Sequence, residues 1–553
     1  MIALFLALTA CRPAEPSQTS PDTEPPAVAD PVYDLGSLLR VELELPEADW
    51  QALQAQTRSF EETLMVEDCQ EQPFDSPYTW FEGSARINGE DFERIDIRKK
   101  GFIGSLSTDK PGLKLDLGEY DDTTFHGERR LTLNNSISDP ALIRQCLTYA
   151  AFNDAGLPAS RCSLAQVTVN GEDLGIYVNV EPLKEPLIAR HFERADGNLY
   201  EGTLSDFREG WTGTLEKKTN EDEDDWSDIE ALVEAASADD GALLDELSAV
   251  LDLDQFFSFW AMEALTQHGD GYAGNTNNFY LYADPSDGRF RFLPWGVDMT
   301  LGVWEADEAG PGVVSVYANS TLTHRLYALP EGRQRYEDAL RGLLSEAWDE
   351  DRIFERIDTM AALIEPELSE REWRRVSSEL EDVRALVDAR RAGLAGALPE
   401  SAGELRESFC FTPSGAVEIA FETTWGTLSS EDMFSTGAST MYLDFGDGTV
   451  LDIDDGSAVI GIAEGGTVLY LPAWISETEA VLIYASLSSA DITPGTVELD
   501  LSERLGALFY LDTETMTDFA FASYIVGELS FTEADTATGA AVAGSMTGQF
   551  FSF

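Results

Sequence analysis

The sequence predicts an α+β region followed by an all-β region. Residues 33–200 alternate between apolar and polar positions in short segments, which is the pattern of strands with one buried face. Beyond residue 200 the balance shifts to helical spacing, chiefly at 254–265 and 333–398. After residue 408 the period returns to two, between turns rich in Gly, Asp, Ser and Thr. We therefore expect one mixed domain over residues 33–400 and a β-sandwich domain over residues 408–553.

Strands dominate the first half of the mixed domain. Asn170 and Gly171 separate two strand-like runs, and Asn-Gly is a strong local signal for a tight hairpin. A run with helical spacing ends just before Gly156, a residue type that favours helix C-termini. The expected elements are strand 39–45, helix 47–53, strands 84–87, 95–99 and 113–117, helix 142–155, and strands 164–169 and 175–180.

Helices dominate the second half of this domain. Asp254 begins a long apolar run and has the side chain of a helix N-cap. Five consecutive acids at 221–225 predict a solvated loop. The other expected elements are a hairpin with strands 278–283 and 289–293 and a mostly helical stretch over 333–398. In the last region the strands expected are 417–421, 467–471, 480–484, 497–501 and 507–511, with a final hairpin over 527–553.

The chain is strongly acidic. Its 553 residues include 102 Asp and Glu against 36 Lys and Arg, which gives a formal net charge of -66. A field of this sign repels phosphate backbones, so the composition argues against DNA or RNA as a partner. A polyphosphate ligand would have to arrive with cations.

The first ten residues predict a signal peptide. Residues 2–10 form a mostly apolar run that is too short to span a bilayer. Residues 8–11, Leu-Thr-Ala-Cys, resemble a bacterial lipobox, and this resemblance implies cleavage before Cys11 and a lipid on its sulfur. Proline-rich residues 11–32 would form an extended tether. We expect a protein of the bacterial cell envelope, in the periplasm or at the surface, that meets the membrane only through this lipid; a buried N-terminal segment is the alternative.

Several common catalytic motifs are missing from the sequence. It contains no HExxH, no GxSxG and no GxxxxGK[ST], which argues against zincins, ordinary α/β hydrolases and P-loop NTPases. A GxGxxG match at 269–274 follows a predicted helix, whereas a dinucleotide site requires a strand before that turn. No CxxC pair predicts zinc, and the remaining cysteines permit disulfides whose pairing the spacing leaves open: Cys69, Cys146, Cys162 and Cys410.

Polar residues concentrate at 268–278, and a further acid follows at Asp298. Phosphoryl transfer needs a carboxylate near the attacking hydroxyl, a second carboxylate and an amide oxygen for Mg²⁺, and a lysine for the phosphates. Asp270, then Asn275 or Asn278, then a hairpin and Asp298 stand in the order found in kinase-like folds. The alternative interpretation is that these are turn residues that satisfy the local backbone.

Ordered motifs flank this segment. They are Ile-Arg-Lys-Lys-Gly at 97–101, Lys114, Asn-Asn at 134–135, Asp-Pro-Ala-Leu-Ile-Arg at 139–144, Gly-Leu-Pro-Ala at 156–159, residues 169–177, Glu181 and Pro-Trp-Gly-Val-Asp at 294–298. Together they resemble the CotH kinase family over roughly residues 33–399. The resemblance implies a two-lobed, atypical and secreted relative of protein kinases. It implies binding of ATP with Mg²⁺ or Mn²⁺ and transfer to Ser or Thr of exported or surface proteins.

The resemblance also implies roles for individual residues. These are phosphate binding for Lys114, Arg98 and Lys100, orientation of that lysine or of the metal for Glu181, the catalytic acid for Asp270, and metal binding for Asp298 with Asn278 or Asn275. In this interpretation the β domain recruits or displays the substrate.

One position departs from the family pattern. Many relatives carry Trp-Asp where this chain has Trp295-Gly296, so one carboxylate is missing from the expected metal site. The alternative function is therefore a non-catalytic surface scaffold or adhesion protein that keeps the fold; transfer of a nucleotide or another group is a third. The triplet Asp444-Phe445-Gly446 copies the metal motif of ordinary kinases, but it lies among predicted strands, where we expect a hairpin turn.

Overall fold

The structure is a computed structural model that describes residues 30–66, 69–303, 314–396, 398–401, 404–429, 433–463, 466–476, 478–500, 504–512 and 519–552. The predicted signal peptide, Cys11 and most of the tether lie outside these residues. Within the described part of the chain, no helix has the length and apolar character needed to cross a membrane.

Seven strands of the first region close into a barrel. They are β1 (Leu38–Glu44), β2 (Trp80–Ile87), β3 (Glu90–Lys100), β4 (Gly112–Asp116), β5 (Arg130–Asn134), β6 (Cys162–Val169) and β7 (Glu172–Val180). Their order is β1-β2-β3-β4-β5-β7-β6, and a parallel pairing of β1 with β6 closes the ring. The predicted Asn170-Gly171 hairpin between β6 and β7 is confirmed, and both residues adopt positive φ.

Strand alternation decides which barrel residues face inward. Leu113 and Leu115 are fully buried in the aliphatic core of the barrel, whereas Lys114 between them points to the opposite side. Arg98 on β3 is the register partner of Lys114 and shares its face, as does Lys100 two residues further along. The barrel thus presents three cations on one outer face.

Four short helices accompany the barrel, and a four-stranded sheet follows it. The helices are α1 (Glu47–Ala55), α2 (Phe60–Leu64), α3 (Arg144–Asp154) and α4 (Glu185–His191). The sheet contains β8 (Leu199–Gly202), β9 (Glu216–Lys217), β10 (Phe279–Asp284) and β11 (Arg289–Pro294) in the order β11-β10-β8-β9. The predicted hairpin of β10 and β11 is confirmed.

The remaining helices of the mixed region pack around an apolar core that includes Trp260 and Tyr336. They are α5 (Ser227–Ala236), α6 (Leu243–Val250), α7 (Leu253–Leu265), α8 (Tyr272–Asn275), α9 (Thr321–Ala328), α10 (Pro330–Glu346), α11 (Glu350–Ile364) and α12 (Glu370–Gly393).

The predicted N-cap of α7 is wrong by two residues. The extended residue before the helix is Asp252, and its carboxylate accepts the N–H of Gln255. Asp254 lies inside the first turn and pairs with Arg335 at 2.7 Å.

The C-terminal region is all strand apart from short 3₁₀ turns. Its strands are β12 (Thr412–Thr424), β13 (Ala438–Asp444), β14 (Val450–Gly456), β15 (Val459–Ala463), β16 (Gly466–Trp474), β17 (Glu479–Leu487), β18 (Gly495–Leu499), β19 (Gly506–Asp512), β20 (Phe519–Glu533) and β21 (Ala541–Ser552). In place of the two separate sheets of the expected sandwich, the described strands form one hydrogen-bonded sheet around a single core, with β18 branching from β20. Asp444-Phe445-Gly446 forms the turn between β13 and β14, as predicted.

Two disulfides bond the cysteines that the sequence left unpaired. Cys146–Cys162 ties α3 to β6, and Cys69–Cys410 ties the loop after α2 to the chain just before β12. Around this second disulfide, Phe409, Phe411 and Phe551 pack with side chains of the first region. The C-terminal sheet is therefore joined to the mixed region both covalently and by an apolar contact.

Candidate active site

A loop after α7 carries the first candidate residue, Asp270. Its carboxylate accepts hydrogen bonds from the side-chain amides of Asn275 at 2.5 Å, Asn278 at 2.7 Å and Asn277 at 3.2 Å. Burial raises the pKa of Asp270, and the amide donors oppose that increase. Three amides therefore fix this carboxylate at the start of a short helix.

The buried carboxylate of Glu263, which was not predicted from the sequence, binds the backbone of this loop. Glu263, in the last turns of α7, accepts the backbone N–H groups of Tyr272 and Ala273, each at 2.9 Å. A Cβ at Gly271 would lie 2.2 Å from Glu263 Oε1, so a glycine is needed where the loop crosses this carboxylate. Burial raises the pKa of Glu263 to about 8 and lowers that of its neighbour His268 to about 3. Glu263 is therefore a structural support of the loop.

Asp298 lies in the turn after β11 and lines the same cavity as Asp270. Burial raises the pKa of Asp298 to about 6, while the charge of Lys100 opposes this increase. The charges of Asp139 and Asp270 contribute to this raised pKa. No described side chain donates a hydrogen bond to this carboxylate, so its oxygens are available to a ligand.

The structure distinguishes between the candidate asparagines. Asn278 lines the cavity, as does Asp298. The Nδ2 of Asn278 donates to Asp270, so the Oδ1 of Asn278 points away from that carboxylate. Asn277 also lines the cavity, but its Oδ1 accepts the N–H of Leu204. Asn275 does not line the cavity, because its Oδ1 accepts from Arg406 and its Nδ2 donates to Asp270. Asn278 is therefore the better placed metal ligand, and Asn275 supports Asp270.

Lys114, Lys100 and Arg98 all line the cavity, as expected of phosphate contacts. The pKa of Lys114 is lowered to about 8 by burial and by the nearby cations Arg98, Lys100 and Lys218, against the opposing charge of Glu201. Burial also lowers the pKa of Lys100, opposed by Asp298. Arg98 stacks on Trp80 with its guanidinium 4.8 Å from the ring centroid. These buried cations repel one another and would be relieved by an anion.

The acid beside Lys114 is Glu201 on β8, and Glu181 lies elsewhere. Glu181 is buried outside the cavity, where it binds Arg161 at 2.6 Å and Arg190 at 2.5 Å. Glu201 pairs with Lys218 at 2.7 Å. Burial raises the pKa of Glu201, but Lys218 and Lys114 outweigh burial and leave it lowered. The expected contact between Glu181 and Lys114 is thus not made, because both carboxylate oxygens of Glu181 accept from Arg161 and Arg190.

The cavity has a volume of about 760 Å³ and reverses the charge balance of the chain. The whole chain has 36 basic residues against 102 acidic ones. The cavity has seven basic residues against five acidic ones: Arg58, Arg98, Lys100, Lys114, Arg130, Lys184 and Lys218 against Asp75, Glu201, Glu216, Asp270 and Asp298. Such a concentration of cations is suited to a polyanion.

Most of these cations were not predicted from the sequence, although the distribution of lysines along the chain contains a signal for them. The chain has only seven lysines, and all of them lie between residues 99 and 218. Four of the seven line this cavity: Lys100, Lys114, Lys184 and Lys218. Lysines so unevenly distributed in an acidic chain indicate a local anion site.

The donor set also fits a hard divalent cation held jointly with phosphate. Asp298 and Asn278 offer carboxylate and amide oxygens, which Mg²⁺ prefers. Among the described residues, no group of three or more His, Cys, Asp or Glu side chains could hold a metal by itself. Mg²⁺ commonly takes only one or two carboxylates and completes its shell with phosphate oxygens and water.

Gly296, where this chain departs from the expected family pattern, lies too close to Asn278 for a side chain. Its φ is +52°, and a Cβ built on it would lie 2.3 Å from Asn278 Oδ1. Any side chain at this position would collide with the candidate metal ligand. In this chain the glycine and the present position of Asn278 therefore depend on each other.

Several known proteins are similar to part of this chain. The chain is 26% identical over 290 residues to the inner spore coat protein H of Bacillus subtilis (strain 168), covering 50% of this chain and 78% of that protein. It is 26% identical over 277 residues to an inner spore coat protein H-like protein of the same organism, covering 47% and 80%. It is 24% identical over 197 residues to the invasin CotH2 of Rhizopus delemar, covering 32% of this chain and 33% of the invasin.

A family model described as "CotH kinase protein" matches residues 97–392, which is more than half of the chain. The matched residues include Arg98, Lys100 and Lys114 on the barrel as well as Asp270, Asn278 and Asp298. With both sides of the cavity inside the match, the chain belongs to the CotH kinase protein family.

Proposed function

We propose that this chain is a phosphotransferase that uses ATP with Mg²⁺ or Mn²⁺ to phosphorylate Ser or Thr hydroxyls of exported or cell-surface proteins. The observation that carries the proposal is the charge reversal in one cavity. Cations on the barrel face two aspartates and an asparagine on the other wall of the same cavity, within a chain of net charge -66. A nucleoside triphosphate with its metal ion has the complementary charge on each side.

Each wall has a distinct part in the proposed reaction. Lys114, whose charge is opposed by that of Glu201, would bind phosphate oxygens together with Lys100 and Arg98. Asp298 and Asn278 would hold the metal, which neutralises charge on the phosphates when bound. Most of the rate enhancement would then come from positioning and electrostatic stabilisation.

Asp270 would orient the acceptor hydroxyl. The hydroxyl oxygen forms the new bond to the γ-phosphorus, the bond from that phosphorus to the bridging oxygen of ADP breaks, and the hydroxyl proton passes to Asp270. Burial raises the pKa of Asp270, which makes its carboxylate a better proton acceptor than an exposed aspartate. Its three amide contacts hold it in one orientation for this step.

The proposal extends to the architecture. The barrel and the helical region would correspond to the two lobes of an atypical protein kinase, with ATP between them. In support, strands β3 to β5 supply one wall of the cavity, and the sheet of β8 to β11 with the turns around it supplies the other. The C-terminal sheet would recruit or display the protein substrate.

We further propose that the protein acts outside the cytoplasm, anchored by a lipid on Cys11. Two disulfides support export, because disulfides persist in oxidising compartments. The names of the relatives, spore coat proteins and an invasin, also favour a location outside the cytoplasm.

Labelled ATP tests the proposed reaction. The purified full-length protein would be incubated with γ-labelled ATP, Mg²⁺ or Mn²⁺ and a generic acceptor protein, beside Asp298→Asn. Exposed Asp245 on α6 gives the matched control Asp245→Asn. We expect transfer of the γ label that Asp298→Asn abolishes and Asp245→Asn retains. Absence of both transfer and an ATP-induced rise in melting temperature would leave the non-catalytic scaffold, and label from the α position would indicate nucleotide transfer.

A further inference from the structure

The segment between the helices and the C-terminal sheet runs alongside the candidate site. We call residues 404–411 the connecting segment. The N–H of Arg406 donates to Asn319 O at 2.9 Å, and the Asn319 side-chain amide donates back to Glu404 O at 3.1 Å. Asn319 in turn donates its own N–H to Ala273 O in α8. The connecting segment is thereby tied to the short helix that follows Asp270.

The other end of the connecting segment is fixed covalently. Cys410 forms a disulfide with Cys69, and the N–H of Phe411 donates to Leu64 O at 2.7 Å. Phe409 packs edge-on against Trp211, with ring centroids 5.3 Å apart. Between these anchors the guanidinium of Arg208 also donates to Arg406 O. A segment held at both ends in this way has little freedom to leave the site.

Arg406 extends from this segment into the hydrogen-bond network of Asp270. Its Nη1 donates to Asn275 Oδ1, and Asn275 Nδ2 donates to Asp270 Oδ1 at 2.5 Å. A guanidinium has only donors, so it can bind only the oxygen end of the Asn275 amide. The nitrogen end is then left facing Asp270. Arg406 thus determines that Asp270 meets a donor here and not a repelling carbonyl oxygen.

These residues lie outside the part of the chain that the family model matches. That match covers residues 97–392, whereas Cys69 precedes it and Arg406 and Cys410 follow it. The family model therefore does not describe this arrangement. It also joins the C-terminal sheet to the loop of Asp270 through only a few residues.

We propose that the connecting segment completes the active site, with Arg406 as a positioning residue that orients Asn275 and through it Asp270, and with the Cys69–Cys410 disulfide holding the segment in place. The inference rests on the proposed phosphotransfer for its kinetic consequence. Its structural consequence, a loop ordered by Arg406, is independent of the reaction.

Variants of Arg406 in the full-length protein test the kinetic part. Arg406→Gln removes the positive charge and shortens the side chain, whereas Arg406→Lys keeps the charge. Arg374→Gln is the control because Arg374 is exposed on α12. A charge-assisted hydrogen bond to an orienting group predicts that Arg406→Gln lowers kcat about tenfold to a hundredfold. We expect KM for ATP to change less than about twofold, since Arg406 does not line the cavity. Arg406→Lys or added guanidinium should restore part of kcat.

Hydrogen exchange of the amides at 270–278 gives a readout that needs no catalysis. We expect faster exchange there in Arg406→Gln than in Arg374→Gln or the unaltered protein. Unchanged exchange together with unchanged kcat would overturn the inference. A rise in KM equal to the loss in kcat/KM would overturn the positioning role in favour of ATP binding. If the unaltered protein transfers no phosphate, the proposed function fails and the exchange result alone decides whether Arg406 orders the loop.

Discussion

The missing side chain of Gly296 makes room for the side chain of Asn278. A Cβ at position 296 would lie 2.3 Å from Asn278 Oδ1, and the backbone there has φ of +52°. Position 296 is therefore closed to a side chain while Asn278 keeps its present place. The glycine and the placement of the Asn278 amide in the cavity are two aspects of one arrangement.

Restoring the family acid should therefore impair the protein. Gly296→Asp and Gly296→Ala both introduce a Cβ against Asn278 at a positive φ, and we expect each to cost about 1–3 kcal/mol of unfolding free energy. Both should also weaken Mn²⁺ binding measured with ATP present. Gly241 has open space around it and serves for the control Gly241→Asp. Stronger metal binding by Gly296→Asp would show that the site accepts the acid after all.

The pH dependence of ATP binding should report on Lys114. Burial lowers the pKa of Lys114 to about 8, so above pH 8 the free protein loses this charge and ATP affinity should fall, by up to about tenfold per pH unit. Calorimetric titration at pH 7, 8 and 9 would measure the slope, which Lys114→Met should flatten. Lys110 has a pKa lowered to the same value but lies outside the cavity, so Lys110→Met should keep the slope. Equal slopes in all three proteins would remove Lys114 from the phosphate site.

Glu201 and Glu181 should differ in what their substitution changes. Glu201→Gln disturbs the charge beside Lys114 and Lys218, so we expect lower kcat/KM for ATP with nearly unchanged melting temperature. Glu181 is buried between Arg161 and Arg190, so Glu181→Gln should lose about 2–4 kcal/mol of unfolding free energy. Activity per folded molecule should survive in that variant. The reverse result would restore Glu181 to the role that the family resemblance gave it.

The buried Glu263 should make stability fall as pH rises from 6.5 to 8. The pKa of Glu263 is raised from 4.5 to about 8, so between these values the folded state holds a proton that the unfolded state releases. One such proton contributes a slope of up to about 1.4 kcal/mol per pH unit. His268, with its pKa lowered from 6.5 to about 3, opposes this slope only below pH 6.5. Urea unfolding between pH 6.5 and 8 should show a shallower fall in Glu263→Gln; an identical slope would mean that Glu263 is already ionised in the fold.

The two disulfides should contribute unequally. Cys69–Cys410 closes a loop of 341 residues and Cys146–Cys162 one of 16, so loop entropy predicts a larger loss of stability, within about 2–5 kcal/mol, when the first is removed. Cys69→Ser with Cys410→Ser should also speed hydrogen exchange at 404–411. Cys146→Ser with Cys162→Ser should leave exchange in that segment unchanged. Equal effects of both double variants on the connecting segment would argue against a specific anchor.

Local sequence patterns were sufficient for much of the fold. Period-two alternation placed Lys114 on a strand, and the Asn170-Gly171 signal found the hairpin, because both depend on neighbours only a few residues away. The position of the α7 N-cap was missed by two residues, since Asp252 and Asp254 are equally suitable by type and only the backbone geometry distinguishes them.

The sequence by itself indicated the family, selected Asp270 and Asp298 as candidate site residues, and placed Lys114 on a strand. Only the tertiary structure decided which acid faces that lysine, which asparagines line the cavity, and that Arg406 reaches Asn275 across 131 positions of sequence. The physical reason is the sequence separation over which each kind of interaction acts. Periodicity and turn chemistry act between near neighbours, whereas Glu201, Gly296 and Arg406 acquire their roles from contacts that exist only after distant segments pack together.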